Sequence, residues 1–301
     1  MSEPKNQHIV PQCYLKQFVD PNTPPGQEPY VWIFDRGSKK GKKRAPKNIL
    51  TEADFYTLKL RTGKKDYTIE ETLSQIESKY STVFEGKIKH KLPLDDRDHI
   101  FLCAFVAAML QRTVKQKESM EAFLDQLITM AEEAERIHGA TPKTSVELKQ
   151  MKENAHKLGI VQMIPIITRI LFQMNLAFLC SNGHNSFITS DAPCYLFNSH
   201  LQWQRFNGPG LGQKHVEVRM PLSPKISACF SWAYNFRGYL KIDSYWIHES
   251  NRMVFGHGHE YFIANSRKIE RRWFHRFPLD PIFVWKMLRN EARSKLARLR
   301  H

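Results

Sequence analysis

Ser186-Phe-Ile-Thr-Ser-Asp-Ala-Pro193 is the stretch on which the reading of this chain turns. Phe187 and Ile188 read as a short buried strand that runs into small polar groups, Thr189 and Ser190, and one carboxylate, Asp191. Pro193 fixes its own φ at about −65° and takes Ala192 out of helical space, so a defined turn presents Asp191. Polar ends of apolar strands are rigid ground on which α/β and α+β proteins keep their chemistry. Two readings stand: Asp191 serves a site, or it caps its own turn through an Asx hydrogen bond.

Working back toward the N-terminus, the period is helical. Ile69, Leu73, Ile76, Tyr80, Val83 and Phe84 form one stripe, with Glu70, Glu71 and Glu77 beside it. Glu77 borders the apolar face and is placed to point inward. The acids also suit the positive end of a helix. Asp95 or Asp96 caps the next helix, whose 100–110 segment is apolar all round and is expected in the core. It emerges at Arg112, a candidate anion clamp, because a guanidinium grips phosphate or carboxylate in a fork. An amphipathic pattern continues to Gly139, and Thr144-Ser-Val-Glu147 is a capping-box signature for a short lysine-rich helix. Residues 160–179 read as a buried helix. Their length raises the membrane question, but Arg169 in mid-span is expensive in lipid.

Earlier still, 8–18 reads as an extended entry into a short helix with Tyr14, Leu15 and Phe18 on one face. His8 precedes that helix, whose positive end favours a neutral imidazole able to act as base or ligand, or simply to cap and pack. Residues 30–60 read as a small sheet element. Within it, Arg36 to Lys47 carries seven basic residues among twelve, including Lys39, Lys40, Lys42, Lys43 and Arg44. Such a run is either an arm over phosphates or a solvated hairpin tip.

Beyond Pro193 the pattern is mostly β, with strands expected at 194–197, 215–220 and 226–231, and loops at 207–212 and 221–224. The glycine-rich loop lacks the Gly-Lys-Ser/Thr of a phosphate cradle. A last pattern starts at Asp243 and runs through Asn251 to Tyr261-Phe-Ile263. His257-Gly-His259 shares a face only on a strand, so a metal pair there is disfavoured. Residues 282–301 form a basic amphipathic pattern with Arg289 and Arg293 on its polar side, set either to contact an anion or to dock with a solvated back.

The composition is that of an ordinary soluble protein: 301 residues, 42% hydrophobic and 25% charged, enough chain for a sizeable core. Five dispersed cysteines with no Cys-x-x-Cys indicate neither a zinc knuckle nor a disulfide framework. No apolar signal region opens the chain, so a cytosolic protein without a membrane partner is expected. A net charge of +15 favours anionic partners, nucleic acid first among them. The expected fold class is α+β: a mainly helical first half and middle packed on a small mixed or antiparallel sheet.

Several stretches together resemble DUF4238, a bacterial and phage family of unknown function. They are His8-x-x-Pro11-x-x-Tyr14-Leu15-x-x-Phe18, Phe55-Tyr56, Glu71-x-Leu73-x-x-Ile76-Glu77, Arg112-Thr113, Phe187-Ile-Thr-Ser-Asp-x-Pro193, Pro221-Leu-Ser-Pro224 and an Asn251 helix ending in Tyr261-Phe262. The resemblance implies one domain over 1–265, with 266–301 as a basic extension. It singles out His8, Glu77, Arg112, Asp191 and Asn251. Ala192 stands where a polar residue is expected.

These groups suit a nuclease or related phosphodiester hydrolase. Asp191 and Glu77 would hold a divalent metal, Mg²⁺ or Mn²⁺, or orient water. His8 would act as base or acid, Arg112 would steady the phosphate, and Asn251, Ser190 and Thr189 would contact substrate. Lys39, Lys40, Lys42, Lys43, Arg44, Arg289 and Arg293 would hold nucleic acid. By analogy, basic proteins of phage-linked families are often defence effectors. The alternatives are a non-catalytic binder of nucleic acid or of a small anion, and an interaction protein whose polar residues organise the core. In the enzyme reading Asp191→Ala abolishes turnover without unfolding. Every such reading requires His8, Arg112 and Asp191 to converge.

Overall fold

The computed structural model describes residues 6–38, 40–59, 64–139, 143–183, 185–199, 201, 208–233 and 237–274. The chain opens with β1 (Gln7–His8) and α1 (Gln12–Leu15), then β2 (Val31–Asp35), β3 (Gly41–Arg44), β4 (Thr51–Glu52), β5 (Leu58–Lys59) and β6 (Lys65–Asp66). Four long helices follow: α2 (Thr68–Gly86), α3 (Asp96–Gln111), α4 (Val114–His138) and α5 (Thr144–Gln173). The second half is β7 (Asn175–Ser181), β8 (Thr189–Ser190), β9 (Tyr195–Phe197), β10 (Glu217–Ser223), β11 (Ile226–Ser231), β12 (Gly238–Ile242), α6 (Ser244–His257) and β13 (Tyr261–Ala264). The fold is α+β, with its long helices in the first half and middle, as expected.

The helix ends follow from local chemistry. Asp95 Oδ1 accepts from Asp98 N at 2.9 Å to start α3, and Asp243 Oδ1 accepts from Trp246 N at 3.2 Å to start α6. Thr113 caps α4, which stops at Gly139 in the left-handed region with φ 61°. The expected capping box does not form at α5: its first turn is capped from α4 instead, where the Glu135 carboxylate accepts from Ser145 N at 3.1 Å and from Ser145 Oγ at 2.6 Å.

Residues 144–179 differ most from the sequence reading. In place of a short helix and a buried one, α5 is one 30-residue helix that runs through Pro165 and ends at Met174. The chain then becomes β7, paired antiparallel to β11 and parallel to β12. An apolar run does not itself distinguish strand from helix, and tertiary pairing on both edges decides for strand. Nor is α5 a buried helix. By length and composition α5 is long and apolar enough to cross a membrane, and only 22% of its most apolar stretch is buried. Val161, Ile166 and Phe172 lie on its exposed side.

Two sheets organise the second half, and one of them also takes in β2 and β3. One has the order β12-β7-β11-β10-β9, the other β3-β2-β13-β8, fully antiparallel. Pro221 to Ser223, expected as loop, continues β10, and the Asn251 helix ends at His257, before β13 begins. The main core joins α1 (Tyr14, Leu15), α2 (Leu73, Tyr80, Phe84), α3 (Phe105, Val106, Met109), α5 (Ile167, Leu171) and the first sheet (Val218, Met220, Phe230). Each such side chain contributes about 1.5–3 kcal/mol on full burial. Ile100 departs from the expected all-buried helix and is 43% exposed. Past residue 265 the chain continues to a 3₁₀ turn at Arg271–Phe274, whose Trp273 is buried and donates to His248 Nδ1 at 3.0 Å.

Candidate functional site

The sequence reading singled out residues in three places, and the fold brings one group of them together. β1 pairs with β4, His8 opposite Thr51, which fixes the backbone at His8. α2 passes alongside and presents Glu70, Ser74 and Glu77 at i, i+4 and i+7, one helical face. α3 delivers Arg112 at its C-terminal end. These groups line a polar cavity of about 130 Å³, together with Gln7 and Tyr56.

Arg112 is the fastener of this cluster. Nη1 donates to Glu77 Oε1 at 2.6 Å, Nη2 to the His8 carbonyl at 2.5 Å, and Nε to Tyr56 Oη at 3.0 Å. Its side chain is 3% exposed. All three nitrogens are already engaged inside the protein, so Arg112 is not the free phosphate clamp expected at a helix exit. Beside it, Gln7 Nε2 donates to Glu70 Oε2 at 2.7 Å and to Thr57 Oγ1 at 3.0 Å, while its Oε1 accepts from Tyr56 N at 2.6 Å.

The electrostatics push two groups in opposite directions. Burial lowers the His8 pKa. The carbonyls of Pro46 and Lys47 and the Glu77 carboxylate oppose that shift, and Arg112 reinforces it. Burial raises the Glu70 pKa, and Glu77 adds to the rise while the Gln7 hydrogen bond and Arg112 oppose it. Burial thus works against the charged form of both groups, lowering the pKa of the His8 imidazole and raising that of the Glu70 carboxyl. Among the described residues nothing hydrogen-bonds His8 Nε2, which is shielded from solvent. Burial also pushes the Tyr56 phenol up to about 12.

Asp191 lies elsewhere. Oδ1 accepts from His259 N at 2.8 Å, and Oδ2 accepts from Glu260 N at 2.6 Å and Tyr261 N at 2.9 Å. It therefore ties the turn between α6 and β13 to the end of β8, a cap on a segment 68–70 residues away rather than on its own turn. It lines a different cavity from Glu77, one of about 550 Å³ bordered by Lys42, Arg44, Glu52 and His259. The expected metal pair does not fit: Asp191 has both oxygens on backbone N–H groups, and Glu77 is paired with Arg112 in the other cavity. Among the described residues no three His, Cys, Asp or Glu side chains group as metal ligands.

The remaining substrate candidates also hold the fold. Asn251, fully buried, accepts from Ile188 N at 3.0 Å and donates to the Ser186 carbonyl at 2.9 Å, which clamps the chain ahead of β8. Thr189 Oγ1 meets Tyr14 Oη at 2.6 Å, and Tyr14 donates its one proton to the Pro221 carbonyl, so Thr189 is the donor there. Ser190 Oγ accepts from Ala192 N at 3.2 Å. His257 Nδ1 donates to the Met253 carbonyl at 3.0 Å and His259 reaches Glu118 at 3.3 Å, so these two histidines are not a metal pair.

The basic run is a strand rather than a loose arm. β3 carries Lys42, Lys43 and Arg44 along the edge of the second sheet. Lys42 pairs with Asp35 at 3.0 Å, and Lys43 lies over the Tyr30 ring at 4.4 Å and the Trp32 ring at 5.4 Å. Lys40 lies just before the strand. Lys39, Arg289 and Arg293 are outside the described residues.

Gln7, Tyr56 and Glu70 are not among the site residues that the sequence singles out. A signal was available for Glu70: it precedes Glu77 by seven residues, two helical turns, and so shares its face.

Residues 6–268 match the family model described as "Protein of unknown function (DUF4238)". The chain belongs to that family. No curated protein and no solved structure matches it.

Proposed function

We propose that this DUF4238 member is a nucleic-acid-directed hydrolase whose proton transfers belong to His8 and Glu70, while Asp191 serves the fold. The observation that carries the reading is the convergence of His8, Glu70, Glu77 and Arg112 from β1, α2 and the end of α3 in one polar cavity. In this scheme substrate binding uncovers the shielded His8 Nε2, which takes a proton from the attacking hydroxyl or water, and the new oxygen–phosphorus bond forms as the leaving oxygen departs. Glu70 gives that oxygen its proton. Glu77, near His8 and held by Arg112, steadies the imidazolium. The basic edge of β3 and the net charge of +15 supply affinity for the polyanion.

A second reading, a non-catalytic nucleic-acid binder, is favoured by two facts: His8 Nε2 is shielded from solvent, and the Arg112 nitrogens are committed internally. One experiment separates the two. The full chain is incubated with a mixed pool of RNA and DNA in Mg²⁺, Mn²⁺ or EDTA, beside His8→Ala and Glu70→Gln, with binding followed by gel shift. The hydrolase reading expects products that fall about 100-fold or more in His8→Ala, the lower bound for losing a general base, with binding and the thermal melt retained. Intact nucleic acid with retained binding favours the binder, and no binding at low salt overturns both.

A further inference from the structure

The end of α3 opposite Arg112 borders a second cavity, of about 430 Å³, between the first turn of α3, the end of α5 and strands β7 and β12. α3 has 16 residues and is thus about 24 Å long, so this cavity is remote from the His8 cluster and shares no lining residue with it. Its volume falls in the range of small-molecule sites.

Its walls are flat rings. Phe178 and Tyr239 stack at 4.6 Å with their planes 17° apart, and Tyr239 is held by a hydrogen bond from its hydroxyl to the Leu92 carbonyl at 2.9 Å. Phe172 packs against the His99 ring at 5.1 Å and, although apolar, remains 36% exposed. His99 lines the cavity, and among the described residues no group hydrogen-bonds its buried Nε2. At the rim, Asp96 makes no ion pair among the described residues, while Asp95 is occupied by Lys87 and by its own helix.

We infer that this cavity binds a planar nucleobase bearing an exocyclic amine. The ring inserts against Phe172 and Tyr239, and the amine donates to the Asp96 carboxylate. Apolar ligands leave Asp96 without a partner, and a bare phosphate meets the Asp95 and Asp96 carboxylates at the rim, where the lining guanidinium of Arg237 already donates to Asn175 Oδ1 at 2.6 Å. The base belongs either to a free nucleoside or to a nucleic-acid strand. The proposal is independent of the hydrolase reading, because it involves neither His8 nor Glu70.

The test is calorimetric titration of the full chain with adenosine, cytidine, guanosine and uridine in turn, then with Phe172→Ala and Asp96→Asn after each is confirmed folded by its melt. Expected are saturable one-site binding of the amine-bearing nucleosides, about tenfold weaker binding of uridine, general weakening in Phe172→Ala, and loss of the preference in Asp96→Asn. Displacement of adenosine by a short oligoribonucleotide assigns the base to a strand, and failure to displace assigns it to a free nucleoside. Absence of binding by all four nucleosides overturns the proposal. So does binding that neither substitution alters.

Discussion

A guanidinium that is 3% exposed and bonded through every nitrogen holds three elements at once, so Arg112 is where the N-terminal half is most sensitive to substitution. Arg112→Ala leaves Glu77 partly buried without its cation. It is expected to cost about 3–5 kcal/mol, read as a fall in the chemical-denaturation midpoint. Asp191→Ala strands three backbone N–H donors at the start of β13 and is expected to destabilise by about 3 kcal/mol, measured the same way. An Asp191→Ala melt equal to wild type would return Asp191 to the functional candidates. The two residues also differ in how far the sequence reveals them. That Glu77 borders the apolar stripe of α2 and that Arg112 ends a core helix follows from spacing alone. A carboxylate after an apolar strand reads the same whether it faces a ligand or caps a distant turn. Its three donors lie 68–70 residues later, where no local pattern points to them.

At the scale of elements, β3 carries the proposed contact with nucleic acid. Replacing Lys40, Lys42, Lys43 and Arg44 together by Ala is expected to reduce the slope of log affinity against log salt by about 3 on single strands, at about 0.7 per phosphate contact. An unchanged slope in that gel-shift series removes the strand from the interface. Gly41 in the same strand sits over the Phe34 ring, where an added Cβ would lie 2.6 Å from a ring carbon, so Gly41→Ala is the variant to avoid when probing charge. Elements are legible where periodicity and a side-chain cap agree, as in α3 and α6, and from periodicity alone in α2 and β11. They were not legible at 160–179, where one apolar run serves first as helix and then as a strand paired on both edges. The exposure of Val161 and Ile166 was equally hidden, since apolar character alone does not say which face finds a partner.

For the whole molecule, acid stability follows from its buried imidazoles. Burial pushes His257 down to about 4 from an ordinary 6.5. The unfolded chain therefore takes up a proton near pH 6.5 that the folded chain refuses until about pH 4. Stability is full above that window and falls through it, by at most about 3 kcal/mol for this one group. Melts recorded from pH 7 to pH 4 are expected to fall less steeply in His257→Gln, and parallel curves would refute the assignment. The central claim concerns His8 and its neighbour on α2. It is tested most directly by the initial rate of nucleic-acid cleavage as a function of pH for wild type and Glu77→Gln. The account predicts a rate that falls on acidification with a midpoint below 6.5, and a midpoint lower still once the Glu77 charge is gone. A rate that ignores pH across that window, or a midpoint that Glu77→Gln leaves in place, would contradict it.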